Sequence, residues 1–147
     1  MTATLTDGEY YALAQFRHLI RRFLHFSETA VHRVGLEPQQ HQALLAIRAL
    51  DPPPGPPISK LATFLLLRHH SAVGLVDRLE SRGLVIRTRG IDDRREVRVC
   101  LTASGEELLE RLSIQHRDEL RIAVPALVQA LSTLLEPQSP LPTEERL

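Results

Sequence analysis

The residues best suited to chemistry stand together in Arg89–Thr102, "RGIDDRREVRVCLT". Asp92 and Asp93 stand directly before Arg94 and Arg95, and an alternating apolar run follows. Such a cluster fits a catalytic carboxylate pair, a metal site, or a turn that carries arginines to a polyanion. Two carboxylates at work on one bond must converge across a substrate, whereas these acids are neighbours on a turn. The chain also shows no Ser/His/Asp order, cysteine–histidine signature, Gly-rich phosphate loop or zinc-protease helix motif. No enzyme, cofactor or resident metal is expected.

The charge distribution favours the polyanion. The 147-residue chain is formally neutral. Residues 58–101 nevertheless hold nine basic and five acidic residues, while residues 102–147 hold four basic and eight acidic. A basic middle between a balanced start and an acidic end marks a local anion-binding surface. A hydrophobic content of 43% suits one globular domain over residues 1–147. One cysteine leaves no internal disulfide. No apolar run approaches a membrane span and the start lacks a signal-peptide pattern, so a cytoplasmic location is expected.

The elements that must position the cluster can be read from periodicity. Residues 9–34 form a long helix with one apolar seam, Leu13, Phe16, Ile20, Phe23, Ser27, Ala30 and Val34, and a second stripe, Ala12, Leu19 and Phe26. Two stripes need more cover than one neighbour supplies, which points to a homodimer. Pro38 starts a second helix. The "DPPPGPP" of residues 51–57 makes a stiff surface loop. Residues 58–67 make a short helix. The next runs to Gly83, with Ala72, Leu75, Val76 and Leu79 inward and His70, Gly74, Asp77 and Ser81 outward. "LVIRTR" and "EVRVCL" alternate as strands joined by the charged turn. A long helix follows, capped by Thr102 or by Ser104 with Glu107. Pro125 is expected to interrupt it and start a last helix, and residues 137–147 form a tail.

The fold class is therefore mainly α (α+β): a winged helix-turn-helix lobe over 38–101 between long N- and C-terminal helices, 9–34 and 103–136. Such readers place the second helix of the motif in the major groove of double-stranded DNA. Lys60, His69, His70, Ser71 and Arg78 offer hydrogen bonds or charge there. Ala62 is small where the two helices cross, and Gly74 leaves room for a base pair or phosphate.

The strings "LEPQQHQALLAI" and "GLV-R----DDRR-V-V-LT--G", the latter over residues 83–105, resemble the multiple antibiotic resistance regulator (MarR) family, and the likeness extends over about residues 9–136. The resemblance implies an obligate homodimer built on the first and last helices. It implies a repressor, less often an activator, on a pseudo-palindromic operator. Release by an anionic or phenolic small molecule, a metal or an oxidant is implied as well. It also assigns Arg94 to the minor groove, with Arg95 beside it. The sequence departs from the family where a glycine and a helix-capping serine or threonine are usual: Leu66 and Arg68 stand there, and Arg68 is expected to face phosphate.

Other features carry weaker signals. Arg17 and Arg21, four apart, could pair with an anionic effector or serve as ordinary surface residues. His18, His25 and His32 share a helix face but lie about 10 Å apart, too far for one metal ion without outside ligands such as Glu37, His41 or His116. Cys100 reads as a small structural residue rather than an oxidant sensor. The alternatives are a zinc- or oxidant-responsive regulator of the same fold, or a winged helix that binds protein instead of DNA.

Overall fold

The computed structural model describes residues 4–136. The elements are α1 (Asp7–Arg33), α2 (Pro38–Leu50), α3 (Ile58–Phe64), α4 (His69–Ser81), β1 (Val85–Arg89), β2 (Val97–Leu101) and α5 (Ala103–Leu135). The chain forms two compact units. One is His25–Asp118, and the described residues 4–24 and 119–136 belong to the other. No helix among the described residues is long and apolar enough to cross a membrane.

Local chemistry sets the helix ends. Thr6 and Glu9 cap α1 reciprocally: the Thr6 N–H donates to Glu9 Oε2 (2.7 Å) and the Glu9 N–H to Thr6 Oγ1 (3.2 Å). The Glu37 N–H donates to Gln40 Oε1 at the start of α2. Three helices end in the same way. In α1 the Leu36 N–H reaches back to the Val31 carbonyl, in α3 Leu67 reaches Ala62, and in α4 Leu84 reaches Leu79. Each such Schellman turn needs one residue with left-handed backbone. Gly35 and Gly83 fill that role after α1 and α4, but after α3 it falls to Leu66, at φ 57°. The left-handed conformation ends α3 at Phe64, three residues short of the helix expected from periodicity.

The His25–Asp118 unit holds the main core. Ala43, Leu44 and Ile47 of α2, Leu61 of α3, Leu75, Val76 and Leu79 of α4, Val99 of β2 and Leu112 of α5 are all buried in it. Ala62, 5% exposed, lies in the same core, where α3 packs on α4. The strands pair antiparallel, with Val85 opposite Leu101 and Arg89 opposite Val97.

One of the two caps expected for α5 forms, and one expectation is corrected. Thr102 is the cap: its Oγ1 accepts the Gly105 N–H at 3.1 Å. Ser104 already lies inside the helix, so no capping box forms with Glu107. Pro125 starts no new helix, because α5 runs through it as one 33-residue element. A proline in mid-helix frees only one carbonyl, four residues back. Here that residue is Arg121, and both it and Pro125 are exposed, so the helix passes the proline on its solvent-facing side.

In the other unit Ala12, Leu19 and Ala130 are buried. Of the second α1 stripe, Ala12 and Leu19 are thus buried and Phe26 is half-buried. Leu13 and Ile20 of the first seam stay exposed, as do Ile122, Val128, Leu131 and Leu135 of α5.

Candidate nucleic-acid interface

The buried stripe of α4 fixes which side chains face outward. His69, His70, Ser71, Asp77 and Arg78 are exposed, and Gly74 is half-buried between them. Arg68 occupies the N-cap position with extended backbone and makes no capping hydrogen bond. The first backbone N–H groups of α4 therefore meet no capping side chain, and the helix dipole favours an anion there.

The wing turn is closed by its own backbone and one acid. The Gly90 N–H donates to the Glu96 carbonyl (2.9 Å), and the Glu96 N–H to the Asp93 carbonyl (3.1 Å). Asp93 Oδ1 accepts the Arg95 N–H at 2.9 Å, an Asx-type bond. Arg89 Nη1 donates to the Arg94 carbonyl at 3.0 Å. Of the acid pair it is Asp93 that bonds the turn; Asp92 is exposed. The Arg94 and Arg95 side chains are exposed, and among the described residues no carboxylate pairs with either.

Other cations of the basic middle are occupied. Arg87 of β1 reaches the carboxylate of Asp77 and, at 2.8 Å, Glu80 Oε1, both on α4. Burial pulls the Arg87 pKa down, but the bonds and charges of Asp77 and Glu80 outweigh it and the net shift is upward. Arg98 sits between Glu96 (3.1 Å) and the Gly55 carbonyl (2.9 Å). Lys60 pairs with Asp51 at 2.9 Å. Arg82 donates to the Gly35 carbonyl. Among the described residues, the arginines left without a carboxylate in this region include Arg68 and Arg78 beside the outward face of α4 and Arg94 and Arg95 on the wing. A cleft of about 400 Å³ lies between the two elements, lined by Ser59, His69, Val73, Arg87, Arg95 and Glu96 among others.

The residues weighed as possible sensors do not converge. Arg17 and Arg21 are both exposed on α1, and neither lines the cavity of about 250 Å³ between α1 and α5. His18, His25 and His32 are exposed, and His32 Nε2 lies 3.5 Å from Glu37 Oε2. No three His, Cys, Asp or Glu side chains come together as a metal cage among the described residues. Cys100 is half-buried and lines a cavity of about 330 Å³ with Pro52, Pro53, Arg48 and Glu106.

The sequence reading missed a buried histidine pair. His41 of α2 and His116 of α5 are 5% and 8% exposed, with ring centroids 4.7 Å apart. His116 Nδ1 lies 2.6 Å from the Leu112 carbonyl, which can only accept, so Nδ1 carries a proton. Nε2 lies 2.7 Å from Ser27 Oγ of α1 and, in the neutral ring, accepts its hydroxyl proton. Ser27, which breaks the apolar seam of α1, is thus a hydrogen-bond partner. It was the visible signal for this contact.

The region that carries these surfaces also matches known proteins. A model of the MarR family matches residues 34–96. The solved structure of the transcriptional repressor CouR, bound to a 23-mer DNA duplex, is 32% identical in sequence, with a TM-score of 0.60 over 91% of this chain and 100% of that one. The chain belongs to the MarR family. Its relatives include the homoprotocatechuate degradative operon repressor of Escherichia coli, 26% identical over 82% of this chain and 72% of that protein. A 60-residue stretch is 43% identical to the HTH-type transcriptional regulator YhbI of Bacillus subtilis. That match spans 41% of this chain and 39% of YhbI.

Proposed function

We propose that this MarR-family chain is a homodimeric, sequence-specific DNA-binding transcriptional regulator. The observation that carries the reading is the pairing of two exposed polar surfaces: α4 with His69, His70, Ser71 and Arg78, and a closed wing whose Arg94 and Arg95 have no carboxylate partner among the described residues. Phosphates fix such a protein on the duplex, and contacts at base edges specify the site. In this reading α4 enters the major groove, with Gly74 allowing close approach and Arg68 facing a phosphate. Lys60 reaches the backbone by leaving Asp51. Arg94 enters the adjacent minor groove, and Arg95 holds the phosphates between.

The dimer is supported by exposed apolar residues on both long helices, including Leu13, Ile20, Ile122 and Val128. A second copy would cover them. Residues 9–34 and 103–136 serve as the dimerisation helices and 38–101 as the reading lobe. Two lobes related by a two-fold axis read a pseudo-palindromic operator. The regulator acts in the cytoplasm as a repressor, and an anionic or phenolic small molecule releases it; the named E. coli and CouR repressors support the direction of control. Residues 137–147, read as a tail, lie outside the described residues.

The test is a mobility shift with DNA from upstream of the protein's own gene, in excess non-specific competitor. A saturable complex of two chains per duplex is expected. Loss of the complex at every competitor level would sink the reading.

A further inference from the structure

The wing carries one residue that neither the fold nor the charge of the turn explains. Ile91, between Gly90 and Asp92, is 82% exposed, while the residues that follow it in the turn, Asp92 to Arg95, are all charged. Gly90 before it is buried, and a Cβ there would lie 2.5 Å from the Asp93 carbonyl oxygen, so the turn closes tightly at this glycine. Bonds from Gly90, Arg95 and Glu96 to backbone or to Asp93 hold that shape. A branched apolar side chain is therefore presented to solvent by a preformed turn, three residues from the Arg94 guanidinium.

Minor-groove binders use this combination: a cation drawn by the potential of a narrow groove and an apolar side chain against its sugars and base edges. Guanine adds an amino group to the groove floor, whereas A·T pairs leave acceptors only. An apolar side chain near that floor cannot bond the amino group and strips it of water. We infer that Ile91 is a specificity residue of the wing, packing on the minor-groove walls beside Arg94 and selecting A·T over G·C at the pairs it faces. The inference rests on the DNA-binding reading above.

The test uses the full chain and a fluorescent duplex selected by the wild type from a random library, with anisotropy measured at several salt concentrations. Ile91→Ala should weaken binding about 5-fold, as expected for partial loss of a buried aliphatic contact. Its salt slope should equal that of the wild type, because no phosphate contact is lost. Ile91→Val should keep binding within about 2-fold, since most of the apolar area remains. Changing the wing-facing A·T pairs to G·C should weaken the wild type more than Ile91→Ala. Changing them to inosine·C, which lacks the amino group, should leave the wild type unaffected. Equal affinity of Ile91→Ala and wild type on every duplex overturns the inference, as does selection of G·C at these pairs. In both cases binding by the wild type leaves the DNA-binding reading intact. A wild type that selects no duplex at all overturns both.

Discussion

The imidazoles of His41 and His116 lie face to face at 4.7 Å, tilted by 30°, where α2 and α5 meet. His116 is tied on both ring nitrogens, to the Leu112 carbonyl and the Ser27 hydroxyl. The Phe26 ring stands edge-on to it at 5.7 Å. Burial, and then the facing charge of His116, lower the His41 pKa from 6.5 to about 4. Protonating His41 therefore costs the folded state stability.

That sets a pH dependence of stability. With its folded pKa lowered, His41 binds more protons in the unfolded chain than in the folded one between pH 6.5 and 4. Its effect is absent above that window and grows as pH falls through it. From pH 7.5 to pH 4.5 the loss should be about 2–3 kcal/mol. Urea unfolding at the two pH values measures it. Replacing His41 with Leu should flatten that difference by most of its size, and an unchanged difference would place the acid sensitivity elsewhere.

Leu66 holds a left-handed backbone that Gly35 and Gly83 hold at the equivalent places after α1 and α4. Its side chain is 93% exposed, so it gains almost nothing from packing. Leu66→Gly should therefore stabilise the protein by about 1 kcal/mol, the usual cost of a non-glycine residue in this conformation. A rise in the thermal midpoint checks this, and a fall would show that Leu66 makes up its strain elsewhere.

Arg94 and Arg89 share one turn but have different tasks. Arg89 holds the Arg94 carbonyl, whereas the Arg94 side chain projects with no carboxylate partner among the described residues. Arg94→Ala should reduce the slope of log affinity against log salt by about 1, the change expected when one phosphate-neutralising cation is removed. Thermal stability should not move. Operator affinity and slope both equal to wild type would remove Arg94 from the interface.

The Arg87 bonds to Asp77 and Glu80 join β1 to α4. Both acids are substantially exposed, at 60% and 43% of the side chain, so water screens the pairs. A double-mutant cycle on Arg87→Met and Glu80→Gln should give a coupling of about 0.5–1 kcal/mol. Coupling indistinguishable from zero would mean that Asp77 alone holds the guanidinium.

What the sequence showed depended on the range of the interaction. The wing was legible because Val97, Val99 and Leu101 alternate behind a charged turn, and both signals are local. The outward face of α4 followed from Ala72, Leu75, Val76 and Leu79 for the same reason. The histidine pair left only one local trace, Ser27 in the apolar seam of α1. His41 and His116 stand 75 positions apart, and the even spacing of His18, His25 and His32 along one helix face drew attention to side chains that prove exposed. Pro125 misled because the rule against mid-helix proline weighs the lost bond but not the solvent-facing side on which the helix passes it. The end of α3 was set by the turn at Leu66, where nothing in the residue type signals a left-handed backbone.

The "DPPPGPP" loop lies along the outer edge of β2. The Val99 N–H donates to the Pro56 carbonyl at 3.0 Å, and Pro57 bridges Arg98. A two-stranded hairpin ordinarily offers its free edge as a template on which another chain can add a strand. Proline accepts a hydrogen bond but has no N–H to pass the pattern onward. The run of prolines therefore works as a stop at the sheet margin. It should keep the wing from templating aggregates when the protein is concentrated in solution.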